Sequence, residues 1–140
     1  MTKSRKHSFL VLRLNPDEDL KKKIASICEK NKIMAGAVVS VVGSLKNLNI
    51  RLANSNAFLK REEKMEVLSL QGSISVSGVH LHISVADSKG NVMGGHLMDE
   101  NLIFTTLEMV ILIFEDLIFD RKIDNHTGYK ELIINGSNLS

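Results

Sequence analysis

Three of the chain's five histidines, His80, His82 and His96, fall inside one short stretch. In an extended strand residues two apart share a face, so His80 and His82 present two imidazoles side by side. Whether His96 joins them depends on the turn in between. If Ser88-Lys89-Gly90 is a three-residue loop closed by Gly90 in the left-handed conformation, Asp87 pairs with Asn91 and His82 faces His96. A two-residue turn at Ser88-Lys89 shifts the register by one and sends His96 to the opposite face. Glycine at position 90 favours the convergent register.

Three neutral imidazoles with an open fourth position suit catalytic zinc, where the metal polarises a carbonyl or lowers the pKa of bound water. The alternative for the same residues is hydrogen bonding within a subunit interface or a polar pocket, with no metal. Gly94 and Gly95 permit close approach of backbone or ligand just before His96. Glu108, the one charge in TTLEMVI, is a candidate fourth ligand or general base. Arg51 reads as surface charge, a buried ion pair or an anion contact. Cys28 lies on a helical apolar stripe and reads as a packing thiol, while His7 and His126 have no spacing partner.

These side chains need strands to hold them. HSFLVLRL (7–14) reads as a buried first strand, and Asn15 as the N-cap of a helix running to about Asn31, with Pro16 first and Asp17, Glu18 and Asp19 in its opening turn. Leu20, Ile24, Ile27 and Cys28 form its apolar stripe. AGAVVSVVGSL (35–45) has the composition of a central strand buried on both faces. LNIRLA (48–53) and MEVLSLQGSISV (65–76) alternate, the second with Gly72 as a bulge or bend, and Ser55 to Lys64 reads as a polar connection. VHLHISV and VMGGHL flank the turn. The dense apolar run after Asn101 has helix and strand readings, and its β-branched and aromatic content favours strands. The tail after Asn135 is polar and reads as frayed. Together these predict an α/β (α+β) domain: a mixed, mainly antiparallel sheet covered by one main helix over about 16–31.

At 140 residues, with 44% hydrophobic and 24% charged residues, one folded domain is expected. A single cysteine excludes an internal disulfide and fits a reducing, cytoplasmic setting. The basic start lacks a long enough apolar run for a signal peptide, and Met109–Phe114 is far short of the roughly 20 residues a membrane span needs. The net charge of +2 hides an asymmetry: residues 1–70 carry 14 Lys+Arg against 7 Asp+Glu, and 71–140 carry 4 against 9. Bulk charge alone is small for holding a polyanion.

The runs GSLKNLNIR, EKMEVLSLQGSIS, GVHLHISVADSKGNVMGGHL, TTLEMVI and DRKIDNHTGYKEL resemble the PPC domain, named for its presence in plants and prokaryotes. The resemblance spans roughly residues 8–134, with a flexible 1–7 before it and 135–140 after it. Its most specific piece is GxHxHxxxADxxGxVxGGHL, matched from Gly78 to Leu97. It implies a homotrimer acting as an interaction module. In plants the domain follows AT-hooks, and stand-alone prokaryotic members are described as predicted DNA-binding proteins. The AT-hook core Arg-Gly-Arg-Pro is absent here. The plant interaction hexapeptide GRFEIL is matched loosely by EKMEVL, which singles out Glu66, Val67 and Leu68. The fold is also similar to α-acetolactate decarboxylase, whose clustered histidines hold a catalytic metal. By that similarity His80, His82 and His96 are carried over as zinc ligands of a hydrolase- or lyase-like protein acting on a carbonyl or carboxylate compound, or of a small-molecule receptor. Self-association and DNA are the expected partners, with no membrane.

Overall fold

The computed structural model describes residues 2–54 and 56–136. Alternating and β-branched segments form β1 (His7–Leu14), β2 (Ala35–Leu45), β3 (Leu48–Arg51), β4 (Phe58–Arg61), β5 (Met65–Ser75), β6 (Gly78–Ala86), β7 (Val92–Leu97), β8 (Ile103–Phe114), β9 (Leu117–Ile123) and β10 (Lys130–Gly136). The first eight make one sheet in the order β1-β8-β2-β5-β6-β7-β3-β4, and β9 and β10 make a separate hairpin. Every described pairing is antiparallel. This is the expected α+β class.

The lone helix among the described residues, α1 (Leu20–Lys30), covers one face of the sheet. Its 3.6-residue spacing buries Leu20, Ile24 and Cys28 into a core with Leu14, Leu70, Leu81, Ile83 and Leu107. Removing a side chain such as Ile24, 0% exposed, from water contributes roughly 1.5–3 kcal/mol. The helix ends where Asn31 folds its amide onto the Ile27 carbonyl at 2.8 Å and Lys32 turns to φ 54°. At 11 residues it is not long and apolar enough to cross a membrane, and no described helix is.

Four expectations need correction. The helix starts later than Asn15 suggests: Asp19 is the N-cap, its Oδ1 accepting from the Lys22 N–H at 3.0 Å. Asp17 has φ 70°, which no right-handed helix accommodates, and residues 15–18 form a turn tied to Ile103. Second, the register shift in β5 lies at Val67/Ser69; Gly72 stays paired with Leu81. Third, β2 is buried on both faces only towards its ends: Ala35 packs with Leu117 and Phe119 and Ser44 is buried beside Thr105, but in the middle no described element covers the second face, and Val39 and Val42 are more than half exposed. Fourth, the polar connection from Ser55 to Lys64 contains strand β4, paired with β3. Ser55 itself and tail residues 137–140 lie outside the described residues.

The charge asymmetry is partly cancelled in space. Lys21 of the basic half pairs with Asp99 of the acidic half at 3.5 Å, and Lys60 pairs with Glu100 at 3.0 Å.

Candidate metal centre

The turn between β6 and β7 decides the site. Asp87 Oδ1 accepts from the N–H groups of Lys89 and Asn91 at 2.8 and 2.9 Å, while Oδ2 accepts from the Asn91 side-chain amide at 2.9 Å. The Asn91 side chain first, then its backbone N–H, hold the Asp87 carboxyl below the usual carboxylate range. Gly90 adopts φ 80°, and backbone bonds close Asp87 on Asn91 and Gly90 on Asp87, each at 3.0 Å. The three-residue loop therefore forms, and His82 pairs with His96. Gly94 and Gly95 serve the sheet: a Cβ on either would stand 2.6 or 2.7 Å from a backbone carbonyl of a neighbouring strand.

Because Leu81, Ile83 and Val85 point into the core, His80 and His82 point to the face opposite α1. The three ring centroids lie 5.0–5.4 Å apart. One nitrogen from each ring falls within 4.8 Å of the others. Ligand nitrogens around tetrahedral zinc stand about 3.4 Å apart, so small ring rotations complete the set. His96 Nδ1 is buried with no hydrogen-bond partner, an orphaned acceptor or donor of the kind a metal ion satisfies. Burial, then the charges of His80 and Arg51, push the His96 pKa down to about 4, so its ring is neutral and ready to ligate at neutral pH. Burial also lowers His80, followed by the Arg121 charge. The residues present fit a zinc ion.

The cluster opens into a cavity of about 630 Å³ whose walls include Arg51, Arg121 and Glu131. Arg51 is the β3 partner of His96, which puts its strand directly beside the site. Arg121 comes from β9, its Nη2 donating to Ser73 Oγ at 2.9 Å and its Nη1 to the Lys130 carbonyl at 3.1 Å. Neither Arg121 nor Glu131 was singled out by sequence reasoning. One signal was available for Arg121: it continues the Leu117–Phe119 alternation, a charge placed on the face that two buried residues define.

Glu108 is not brought to the histidines. It lies on β8 between Arg13 and Val42, exposed, with β2 and β5 separating its strand from β6, about 14 Å at the usual strand spacing. Glu66 and Leu68 are exposed on β5 and Val67 is buried beneath them, also away from the cavity.

A family model, the Plants and Prokaryotes Conserved (PCC) domain, matches residues 1–115. The chain is 42% identical over 123 residues to the bifunctional protein GlmU of a Synechococcus strain, covering 88% of this chain but spanning only 20% of that relative's length. A hypothetical protein from Salmonella cholerae-suis superposes with a TM-score of 0.93 at 32% identity, over 96% of this chain and 97% of the other. A metal-containing protein from Archaeoglobus fulgidus superposes with a TM-score of 0.75 at 25% identity, over 94% and 95%. With the family model covering most of its length and the GxHxH and GGHL segments forming one paired hairpin, the chain belongs to the Plants and Prokaryotes Conserved domain family.

Proposed function

We propose that this PCC domain carries a zinc centre on His80, His82 and His96 and uses it as a small-molecule site, of the hydrolase, lyase or receptor kind. The carrying observation is that three imidazoles from two strands converge beneath one cavity whose walls bear arginines. A bound metal would supply Lewis acidity and an activated water. The chain's own residues bind and orient: the neutral His96 ring offers its nitrogen without first losing a proton, and Arg51 and Arg121 attract a negative group. Similarity to a metal-containing archaeal protein supports this reading. DNA association gains less support, since Lys21 and Lys60 are already paired with acidic residues.

Metal analysis and zinc titration of untagged protein test the centre. Near one equivalent per chain is expected, lost in His80→Ala and in His96→Ala. Less than about a tenth of an equivalent, with no uptake on titration, removes the reading.

A specific observation also favours self-association. The sheet face opposite α1 exposes Phe9, Val11, Val39, Val42 and Leu68, each more than half accessible, on β1, β2 and β5, with β8 between the first two. Such a face suits burial against further copies of the chain, as a homotrimer. Light scattering of the full chain would show three times the 15.6 kDa mass, and Val42→Glu would lower it; a monomer at micromolar concentration rejects the assembly.

A further inference from the structure

The PCC match ends at residue 115, and the β9–β10 hairpin beyond it supplies Arg121 and Glu131 to the histidine cavity. Leu117 and Phe119 anchor β9 by packing with Ala35 and Phe114, which sets the strand on which Arg121 follows. The guanidinium is then immobilised from two sides, by Ser73 Oγ and by the Lys130 carbonyl. Ser73 is the β5 partner of His80, so the anchored guanidinium stands next to a candidate metal ligand.

Two of the five N–H donors of this fixed cation are used, one on each Nη. Arg121 Nε is buried and has no hydrogen-bond partner. A buried charged donor without an acceptor is unfavourable, and Arg121 lines the open cavity, where a ligand oxygen meets the guanidinium edge that Ser73 and Lys130 leave free. Arg51, on the β3 side, adds a second positive charge. Lys130 and Glu131 on the hairpin wall offset each other, so the two arginines, one from β3 and one from β9, leave a net positive charge that suits the two separated carboxylates of a small dicarboxylate better than the single centre of a phosphate. A cavity of about 630 Å³ accommodates a molecule of metabolite size.

We propose that Arg121 is the specificity-determining anchor of this cavity and that the ligand it selects is a small carboxylate. A carboxylate oxygen accepts from the guanidinium N–H groups that Ser73 and Lys130 leave free, which directs the remainder of the molecule toward the histidines. The inference rests on the small-molecule reading of the site, but the contribution of Arg121 does not require the metal.

Calorimetric titration of the full chain with malonate, and separately with inorganic phosphate, tests it in metal-free and zinc-loaded protein. Malonate is expected to bind more tightly than phosphate. Arg121→Gln should weaken malonate about 10- to 100-fold, the range of a charged hydrogen bond, while leaving zinc stoichiometry unchanged. Arg121→Lys keeps the charge but loses the planar fork and should restore only part of the affinity. Ser73→Ala leaves the whole guanidinium in place, frees Nη2, and should weaken malonate by a smaller factor. Equal malonate affinity in wild type and Arg121→Gln overturns the proposal, as does absent malonate binding or a preference for phosphate. If zinc does not bind, the metal centre falls, and the metal-free titrations still decide the role of Arg121.

Discussion

Gly72 holds the strand that carries His80 and His82 at its present distance from β5. Its φ is 149°, and a Cβ built on it would stand 1.9 Å from the His80 carbonyl oxygen and 2.9 Å from Leu81 Cα. Real Cβ atoms essentially never come within 3.0 Å, so Gly72→Ala must part the two backbones by about 1 Å at His80. Overpacking of that kind costs about 1–3 kcal/mol, and a non-glycine residue in an unfavourable backbone region adds about 1–3 more. Alanine recovers up to about 1 kcal/mol by restricting the unfolded chain. The net loss is about 1–6 kcal/mol, or a fall in Tm of roughly 3–20 °C for a domain of this length. Gly90→Ala provides the control, because Gly90 has φ 80° with no atom within 4 Å of its Cβ position. It measures backbone strain alone, about 1 kcal/mol. Urea unfolding of both variants and the wild type gives the comparison. A Gly72→Ala loss no larger than that of Gly90→Ala would show that β5 and β6 do not press together as described. Folded Gly72→Ala protein should also bind zinc more weakly, since His80 moves with its backbone.

Stability of the metal-free protein should fall with acid before the carboxylates titrate. The His96 pKa is near 4 in the fold and about 6.5 when unfolded, so the unfolded chain takes up more protons between these values. The stabilisation present above pH 6.5 is lost progressively down to pH 4. Solvent screening of this partly exposed ring limits the loss to about 1–2 kcal/mol. Urea unfolding at pH 7.5 and 4.5 should show the drop in wild type and a smaller one in His96→Gln; identical drops refute the assignment. Asn101, 0% exposed, accepts from the Asn49 N–H at 2.7 Å and donates to the carbonyls of Asn49 and Met98 at 2.9 and 2.8 Å. Asn101→Ala removes this partner from the Asn49 N–H and the Met98 carbonyl, while the Asn49 carbonyl keeps the Met98 N–H at 3.2 Å, and should cost about 2–4 kcal/mol by thermal unfolding. A loss below about 0.5 kcal/mol would mean that water replaces the amide at no penalty.

The β6–β7 hairpin is the part of the site that local sequence determines. Asp87, Gly90 and Asn91 impose the turn, the turn imposes the register, and strand alternation places three imidazoles on one face, all within neighbouring residues. The α1 stripe is legible for the same reason, since Leu20, Ile24 and Cys28 repeat at the helical period. Its start is not: the acidic run after Pro16 reads as a first helical turn, but hydrogen bonds from Asp17 and Leu20 to Ile103 and Asn101, distant in sequence, hold the segment in another shape. The uncovered middle of β2, at Val39 and Val42, could not be read either, because composition reports what a strand can bury and not how far a partner layer extends over it. Glu108 and Arg121 show the limit most directly. Both are charges in apolar strands, and although alternation puts Arg121 on the face of Leu117 and Phe119, it does not say what that face meets. Strand order puts β2 and β5 between Glu108 and the site, while the β9 hairpin carries Arg121 onto Ser73 beside His80. Local hydrogen bonding determines the ligand set, whereas the walls around it come from long-range packing, whose energy depends on surfaces that meet only when the whole sheet has formed.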